Sequence, residues 1–259
     1  MEFGSALNSG WVKEVYISAP FRFTFIGFEF LQHMHGPVMY YYFAAGCLLS
    51  VMVALGLLYR PASFILALLW SAVYFSQKEH YNNHYYLMML ICWVMAFVPA
   101  HRRASLDVKL GITTPTNECY RWCIHLFIIQ IGVLYVYAAV AKMYPDWLEA
   151  MPVKIWFAKR TKHPWLGSLF ASENFAYFVA YSGILFDLLI VPALLWKRTR
   201  VLAVIAMLVF HQFNKITFGI GVFPYLAMSL NVFFFDGKTF DNTVGIETCT
   251  VSVHCHNDL

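Results

Sequence analysis

Lys142 is the residue in this sequence whose type and position offer the most chemistry. It closes the apolar run from Tyr120 to Ala141, which is long enough to cross a bilayer. A lysine at the end of a membrane helix commonly extends its ammonium to the lipid headgroups, where it acts as an anchor. In an apolar cavity, desolvation disfavours the ammonium, and the free amine can then act as a base. Position alone favours the anchor.

A second polar group is a short block that connects two apolar segments. An asparagine pair followed by histidine can supply hydrogen bonds to a ligand, although such a pair also commonly forms a turn or caps a helix. The residues of this block are Tyr81, Asn82, Asn83 and His84.

Two further positions lie inside apolar segments. His211 and Asn214 are three residues apart, and this spacing places them on one face of a helix. A single histidine on an apolar helix is more often a hydrogen-bonded core residue than a catalyst. Asp187 stands alone in the apolar stretch 184–190, where an ionised carboxylate is costly and usually has a partner.

The composition defines the class of protein that must position these side chains. The chain has 259 residues, of which 60% are hydrophobic and 12% charged, and its mean hydropathy is +0.59. Soluble domains carry about 25% charged residues, so we predict an integral membrane protein that forms one bundle. The formal net charge of +4 is dispersed among apolar segments and gives no indication of a nucleic-acid partner.

The hydropathy pattern predicts an all-α, polytopic transmembrane bundle with six or seven spans. Residues 11–34 are too polar to span and predict an N-terminal interfacial helix. We assign residues 1–10 to a leader-like segment, 11–235 to the transmembrane domain and 236–259 to a loosely ordered tail. The seven apolar segments are approximately Val38–Tyr59, Ala62–Gln77, Tyr85–Pro99, Tyr120–Ala141, Phe175–Trp196, Val201–Phe218 and Val222–Phe235.

The distribution of basic residues predicts the orientation of the bundle. Threading the segments alternately across the membrane places Arg60, the stretch 101–103 and the stretch 197–200 on one side, in short basic loops. The positive-inside rule makes that side cytoplasmic. Lys142 and the block at 81–84 then lie together on the non-cytoplasmic side, the lumenal or periplasmic one.

These residues together resemble a known family. They occur in the order and approximate spacing seen in vitamin K-dependent gamma-carboxylases and in the related horizontally transferred transmembrane domain (HTTM) proteins. The resemblance covers about residues 11 to 235. The matching stretches are Tyr81–Leu87, Ser105–Asp107, Lys142 with Asp146 to Glu149, Asp187–Leu188, His211 with Asn214, and Phe218 to Tyr225.

The resemblance implies a reaction and roles for these residues. Such enzymes oxidise vitamin K hydroquinone with O2 to the epoxide, and the base so generated deprotonates the gamma-carbon of a glutamate, which then adds CO2. It implies that Lys142 is the catalytic base and that His84 is a second catalytic residue. It implies no metal cofactor, and the partners are membrane lipid, an isoprenoid quinone and a glutamyl protein or peptide. The quinone-binding residues would be Tyr81, Asn82, Asn83, His211 and Asn214, with Asp146, Trp147 and Asp187 in support.

Other interpretations stay open. The sequence holds no counterpart of the large lumenal domain of animal carboxylases, so the resemblance supports quinone oxidation better than glutamate carboxylation. A non-catalytic bundle that binds quinone or lipid is one alternative, and a membrane oxygenase with histidine-ligated iron is another. The candidate iron ligands would be His33, His35, His80, His84 and His211. The tail residues Cys249, His254, Cys255 and His256 match no structural zinc spacing.

Overall fold

A computed structural model describes residues 2–19, 21–116, 118–162, 166–218, 223–235 and 250–251. The predicted all-α fold class is confirmed, because helices dominate this part of the chain. Two strands of two residues each, β1 (Glu118–Cys119) and β2 (Thr250–Val251), form a parallel pair with Glu118 opposite Thr250. The cysteine- and histidine-rich end of the tail lies outside the described residues. The α-helices are α1 (Glu2–Asn8), α2 (Val38–Leu55), α3 (Tyr59–Phe75), α4 (Asn83–Phe97), α5 (Leu106–Lys109), α6 (Arg121–Val140), α7 (Pro145–Leu148), α8 (Met151–Ala158), α9 (Gly167–Phe170), α10 (Glu173–Leu195), α11 (Arg200–Phe218) and α12 (Phe223–Leu230).

Among the described residues, three helices are long and apolar enough to cross a membrane. They are α2, α6 and α10, with 18, 20 and 23 residues. Each of the seven predicted apolar segments contains a helix, but α3 and α4, at 17 and 15 residues, are shorter. The three long helices are consistent with a membrane protein, and the count of six or seven spans is not confirmed.

The predicted interfacial helix over residues 11–34 is not confirmed either. A short π-helix (Lys13–Ser18) is followed by irregular chain and by a 3-10 helix (Glu29–His33). The π-helix ends at Ser18, and the next residue, Ala19, has an extended ψ of 123°, as expected of a residue before a proline. Gly27, at a φ of +88°, then turns the chain in a conformation that favours glycine. The polarity of the segment was therefore no evidence for a continuous helix.

The chain divides into two compact units, which we describe separately. The first unit comprises Met1–Cys123 and Gly237–Leu259, and the second comprises Ile124–Asp236. In the first unit, α1 packs on α2, α2 on α3 and α3 on α4. Phe3 of α1 is buried against α2, where a Cβ on Gly46 would come within 2.7 Å of the Phe3 ring. The absence of a side chain at Gly46 allows this close approach.

The α2–α3 connection lies earlier in the chain than the predicted apolar segments place it. The predicted break at Arg60 and Pro61 falls instead at residues 56–58, and both residues lie in the first turn of α3, where a proline costs little. Gly56 ends α2 in the left-handed conformation, with φ 64° and ψ 38°. Arg60 Nη1 donates to the carbonyl oxygen of Ala96 at 3.2 Å and thereby ties this connection to the end of α4.

Asp107 holds the beginning of α3. Its carboxylate, which is 3% exposed, accepts hydrogen bonds from the backbone amides of Leu58 at 2.7 Å and Tyr59 at 3.0 Å. The backbone amide of Asp107 donates to the carbonyl oxygen of Gly56 at 2.9 Å. Asp107 therefore caps the start of α3 from the first turn of α5, which is distant in the sequence.

His101 lies beside the same connection. Its ring stacks on Tyr59 with a centroid distance of 4.9 Å, and it is buried. Burial, together with the nearby Arg60 guanidinium, holds the pKa of His101 below its ordinary value. The loop therefore favours a neutral imidazole.

In the second unit α10 is the central helix. It contacts α7, α8, α9 and α11, and α11 also packs on α12. A buried cluster under α10 joins Val153 and Phe157 of α8, Phe170 of α9, and Ala176 and Ala180 of α10. The small side chains on α10 let the aromatic rings pack close to it. This arrangement places the middle of α10 against the chain that follows α6.

Candidate functional site

Lys142 and Asp187 form a partly buried ion pair in the second unit. The Lys142 Nζ lies 2.5 Å from Asp187 Oδ2, and the side chains are 23% and 5% exposed. Asp187 sits in the middle of α10, with apolar residues on both sides in the sequence. The sequence predicted that this carboxylate needs a partner, and the structure provides Lys142 as that partner.

The chain around Lys142 orients its ammonium. Helix α6 ends at Val140, and the Lys142 Nζ also donates to the carbonyl oxygen of Ala138 at 3.2 Å. A cation at a helix carboxyl end is favoured by the helix dipole. Pro145 then begins α7, which directs the chain back along α10.

Trp147 closes one side of the pair. The Lys142 Nζ lies 5.5 Å from the centroid of the Trp147 ring, within the range of a cation–π interaction. The Trp147 Nε1 donates to the carbonyl oxygen of Ala180 at 3.2 Å, which fixes the ring against α10. Asp146, the neighbouring site candidate, is exposed in α7.

A second buried polar pair joins α6 and α11. The Tyr135 hydroxyl lies 2.9 Å from His211 Nε2, and the two residues are 3% and 1% exposed. Tyr135 also interacts electrostatically with Asp187. The predicted candidates Lys142, Asp187 and His211 thus belong to one set of interacting side chains in this unit. Asn214 lies in the same helix as His211 and is half-buried.

Sequence reasoning missed Tyr135, although a signal was present. Tyr135 precedes Lys142 by seven residues, or about two helical turns, so a helix places both residues on one face. Aromatic rings complete the surroundings, since Phe186 stacks on Phe210 with a centroid distance of 3.8 Å. Phe186 also contacts the rings of Tyr135 and His211. The two polar pairs therefore lie beside aromatic rings, and both pairs contain groups that can donate or accept protons.

The asparagine–histidine block belongs to the first unit. Asn82 is the N-cap of α4, where its Oδ1 accepts from the backbone amide of Tyr85 at 2.8 Å. The Tyr81 hydroxyl donates to Asn83 Oδ1 at 2.7 Å, and His84 is half-buried in the first turn of α4. These two hydrogen bonds to Oδ1 fix the orientation of the side-chain amides of Asn82 and Asn83.

The HTTM domain family model matches residues 1–238. The chain belongs to the HTTM domain family. The HTTM match includes the segment 1–10, which the sequence reasoning had set apart as a leader. HTTM domains are associated with the vitamin K-dependent carboxylase family. No solved structure matches the chain.

Residues 219–222 of the stretch Phe218 to Tyr225 lie outside the described residues. In the part of the chain that is described, no group of three or more histidine, cysteine, aspartate or glutamate residues is arranged to hold a metal ion. The candidate site in the second unit consists of the Lys142–Asp187 and Tyr135–His211 pairs.

Proposed function

We propose that this HTTM protein is a membrane-embedded vitamin K-dependent gamma-carboxylase-like enzyme. It oxidises vitamin K hydroquinone with O2 to the epoxide and uses the resulting base to deprotonate and carboxylate glutamate with CO2. The observation that carries the proposal is the partly buried ion pair of Lys142 with Asp187, beside Trp147. The association of HTTM domains with the carboxylase family supports the same reaction.

Lys142 is the base in this proposal, and Asp187 prepares it. An ammonium cannot accept a proton, so the Nζ must first become an amine. Asp187 Oδ2, at 2.5 Å, is the direct acceptor for that proton. In the proposal this transfer precedes the reaction of the hydroquinone. The amine then takes the hydroxyl proton of the hydroquinone.

The remaining groups suit an aromatic substrate with two hydroxyls. The rings of Phe186 and Phe210 provide apolar walls, and Tyr135 and His211 provide hydrogen bonds to an oxygen on which charge develops. As part of the same proposal, we assign a quinone-binding role to His84, Asn82 and the rest of their block in the first unit. The isoprenoid chain enters laterally from the lipid, and the site faces the non-cytoplasmic side.

The test is an assay of the purified chain with vitamin K hydroquinone, O2, labelled CO2 and a glutamyl peptide. Epoxide and carboxylated peptide are measured separately. Lys142→Ala abolishes epoxide formation because the base is lost, and Lys142→Arg fails as well because guanidinium does not deprotonate. Lys154→Ala is the matched control, since Lys154 forms a more exposed pair with Glu173. Full epoxidase activity in Lys142→Ala would refute the proposal.

The same assay separates the alternatives. Epoxide without carboxylated peptide restricts the activity to quinone oxidation. Saturable quinone binding without epoxide identifies a non-catalytic binding bundle. Stoichiometric iron in the purified protein, with activity that chelators abolish, identifies an oxygenase instead.

A further inference from the structure

A cavity of about 120 Å3 lies inside the first unit, apart from the ion pair of the second unit. It opens beside Ser5 and Ser9 of the N-terminal segment, which are exposed, and it ends against Phe43 and Trp70, which are buried. We name it the aromatic cavity, after the rings that line it: Trp11, Phe43, Trp70, Tyr74 and Tyr85.

The aromatic cavity contains one carboxylate. Glu2 lines it, and no lysine or arginine is among the described residues that do so. Glu2 interacts electrostatically with Tyr85, which lines the same cavity. The remaining polar groups are neutral amides, hydroxyls and the imidazole of His80, whose ring lies 5.6 Å from that of Trp11. The charged group that complements this lining is a cation.

The rings specify which kind of cation. Ammonium groups that carry alkyl substituents are poorly hydrated, and aromatic cages recognise them through cation–π attraction. Most rings of the cavity are already fixed by neighbours, since Trp70 Nε1 donates to the carbonyl oxygen of Tyr85 at 3.2 Å and Trp11 packs edge-on against Phe43. A fixed cage loses little conformational entropy when it binds a ligand.

We propose that the aromatic cavity binds a quaternary ammonium headgroup of the choline type. Its volume suits such a group and not a whole drug-sized molecule, whose pockets measure about 300–1,000 Å3. The rest of the ligand leaves through the opening beside Ser5 and Ser9. The headgroup belongs either to free choline or to a choline phospholipid. This site is independent of the proposed quinone reaction.

The test is isothermal titration calorimetry of the purified full chain in a maltoside detergent, with choline as the ligand. 3,3-Dimethyl-1-butanol, which has the same shape without the charge, is the ligand control. We expect saturable choline binding, and binding of the alcohol at least about tenfold weaker, which corresponds to about 1.4 kcal/mol. Equal affinity for the two ligands, or no saturable heat with choline, overturns the proposal.

Two variants assign the binding to the aromatic cavity. Glu2→Gln keeps the size of the side chain and removes its charge, and we expect choline to bind about five- to tenfold more weakly while the alcohol is unaffected. Trp11→Leu removes one ring and weakens choline binding independently of the carboxylate. Glu14→Gln is the matched control, because Glu14 is exposed and does not line the cavity. Unchanged choline affinity in both cavity variants contradicts the proposal.

The source of the headgroup is decided in lipid nanodiscs. If phospholipid headgroups occupy the cavity, nanodiscs of phosphatidylcholine abolish binding of free choline, whereas nanodiscs of phosphatidylglycerol preserve it. If free choline is the ligand, both preparations bind it equally. Both outcomes support an ammonium site, and failure of choline to bind in both preparations overturns it.

Discussion

Single and double replacements of Lys142 and Asp187 distinguish the contribution of this pair to stability from its contribution to activity. Asp187→Leu leaves a largely buried ammonium without its counter-charge, and Lys142→Met leaves a carboxylate that is 5% exposed. Removal of one member of a buried pair costs about 3–5 kcal/mol. Lys142 keeps 23% exposure and reaches water, so we expect about 3 kcal/mol for Asp187→Leu.

The double variant Lys142→Met/Asp187→Leu removes both charges and fills the space with apolar atoms. Such replacements are often neutral or stabilising, so its free energy of unfolding should lie within about 1 kcal/mol of the original protein. Because both single variants lose stability and the double variant does not, the double-mutant cycle gives a coupling energy of about 5–9 kcal/mol. If the pair is retained for chemistry, the double variant folds normally and forms no epoxide.

The assay is equilibrium unfolding in mixed micelles of maltoside and SDS, followed by tryptophan fluorescence, with epoxidation measured on each variant. The control cycle replaces Lys154 and Glu173, whose side chains are 26% and 69% exposed. Exposed pairs contribute only about 0.2–1 kcal/mol, so this cycle should show weak coupling. A coupling energy below about 1 kcal/mol at Lys142–Asp187, or an active double variant, refutes the reasoning.

Three further predictions concern the first unit. Asp107→Ala leaves two backbone amides at the start of α3 without acceptors. Each hydrogen bond to a charged group contributes about 1.5–3 kcal/mol, so the free energy of unfolding should fall by about 3–6 kcal/mol. Equilibrium unfolding measures this loss, and a loss below about 1 kcal/mol contradicts the prediction. The folded-state pKa of His101 lies below its ordinary value of 6.5, so the native protein binds fewer protons than the unfolded chain. Its contribution to stability is present above pH 6.5 and decreases as the pH falls below it, and His101→Phe should flatten that part of the pH–stability curve. His84→Ala should weaken quinone turnover less than Lys142→Ala does, and unchanged kinetics would assign His84 to the α4 terminus alone.

The sequence predicted the helical segments because long apolar runs report membrane or core burial directly. The sequence predicted the ends of these helices less well. The break between α2 and α3 depends on the left-handed conformation of Gly56 and on a carboxylate 49 residues away. The local sequence at Arg60 and Pro61 indicates neither the conformation of Gly56 nor the contact with this distant carboxylate.

The sequence predicted those parts of the candidate site in which burial of a charged group is costly without a partner. An aspartate among apolar residues must be compensated, which made Asp187 a candidate, but hydropathy does not identify Lys142 as its partner. Tyr135 is aromatic in an aromatic-rich segment and was overlooked, although its seven-residue spacing from Lys142 was visible. The capping role of Asn82 followed from its residue type and position, since asparagine is a preferred N-cap.

The opposite charges at positions 142 and 187 also constrain how this chain can change during evolution. A substitution at one position leaves the other charge buried and unpaired, and the intermediate protein is substantially destabilised. A lineage therefore leaves this state only through nearly simultaneous replacements, or through a prior increase in stability elsewhere. Within HTTM proteins the two positions should accordingly change together or remain unchanged together.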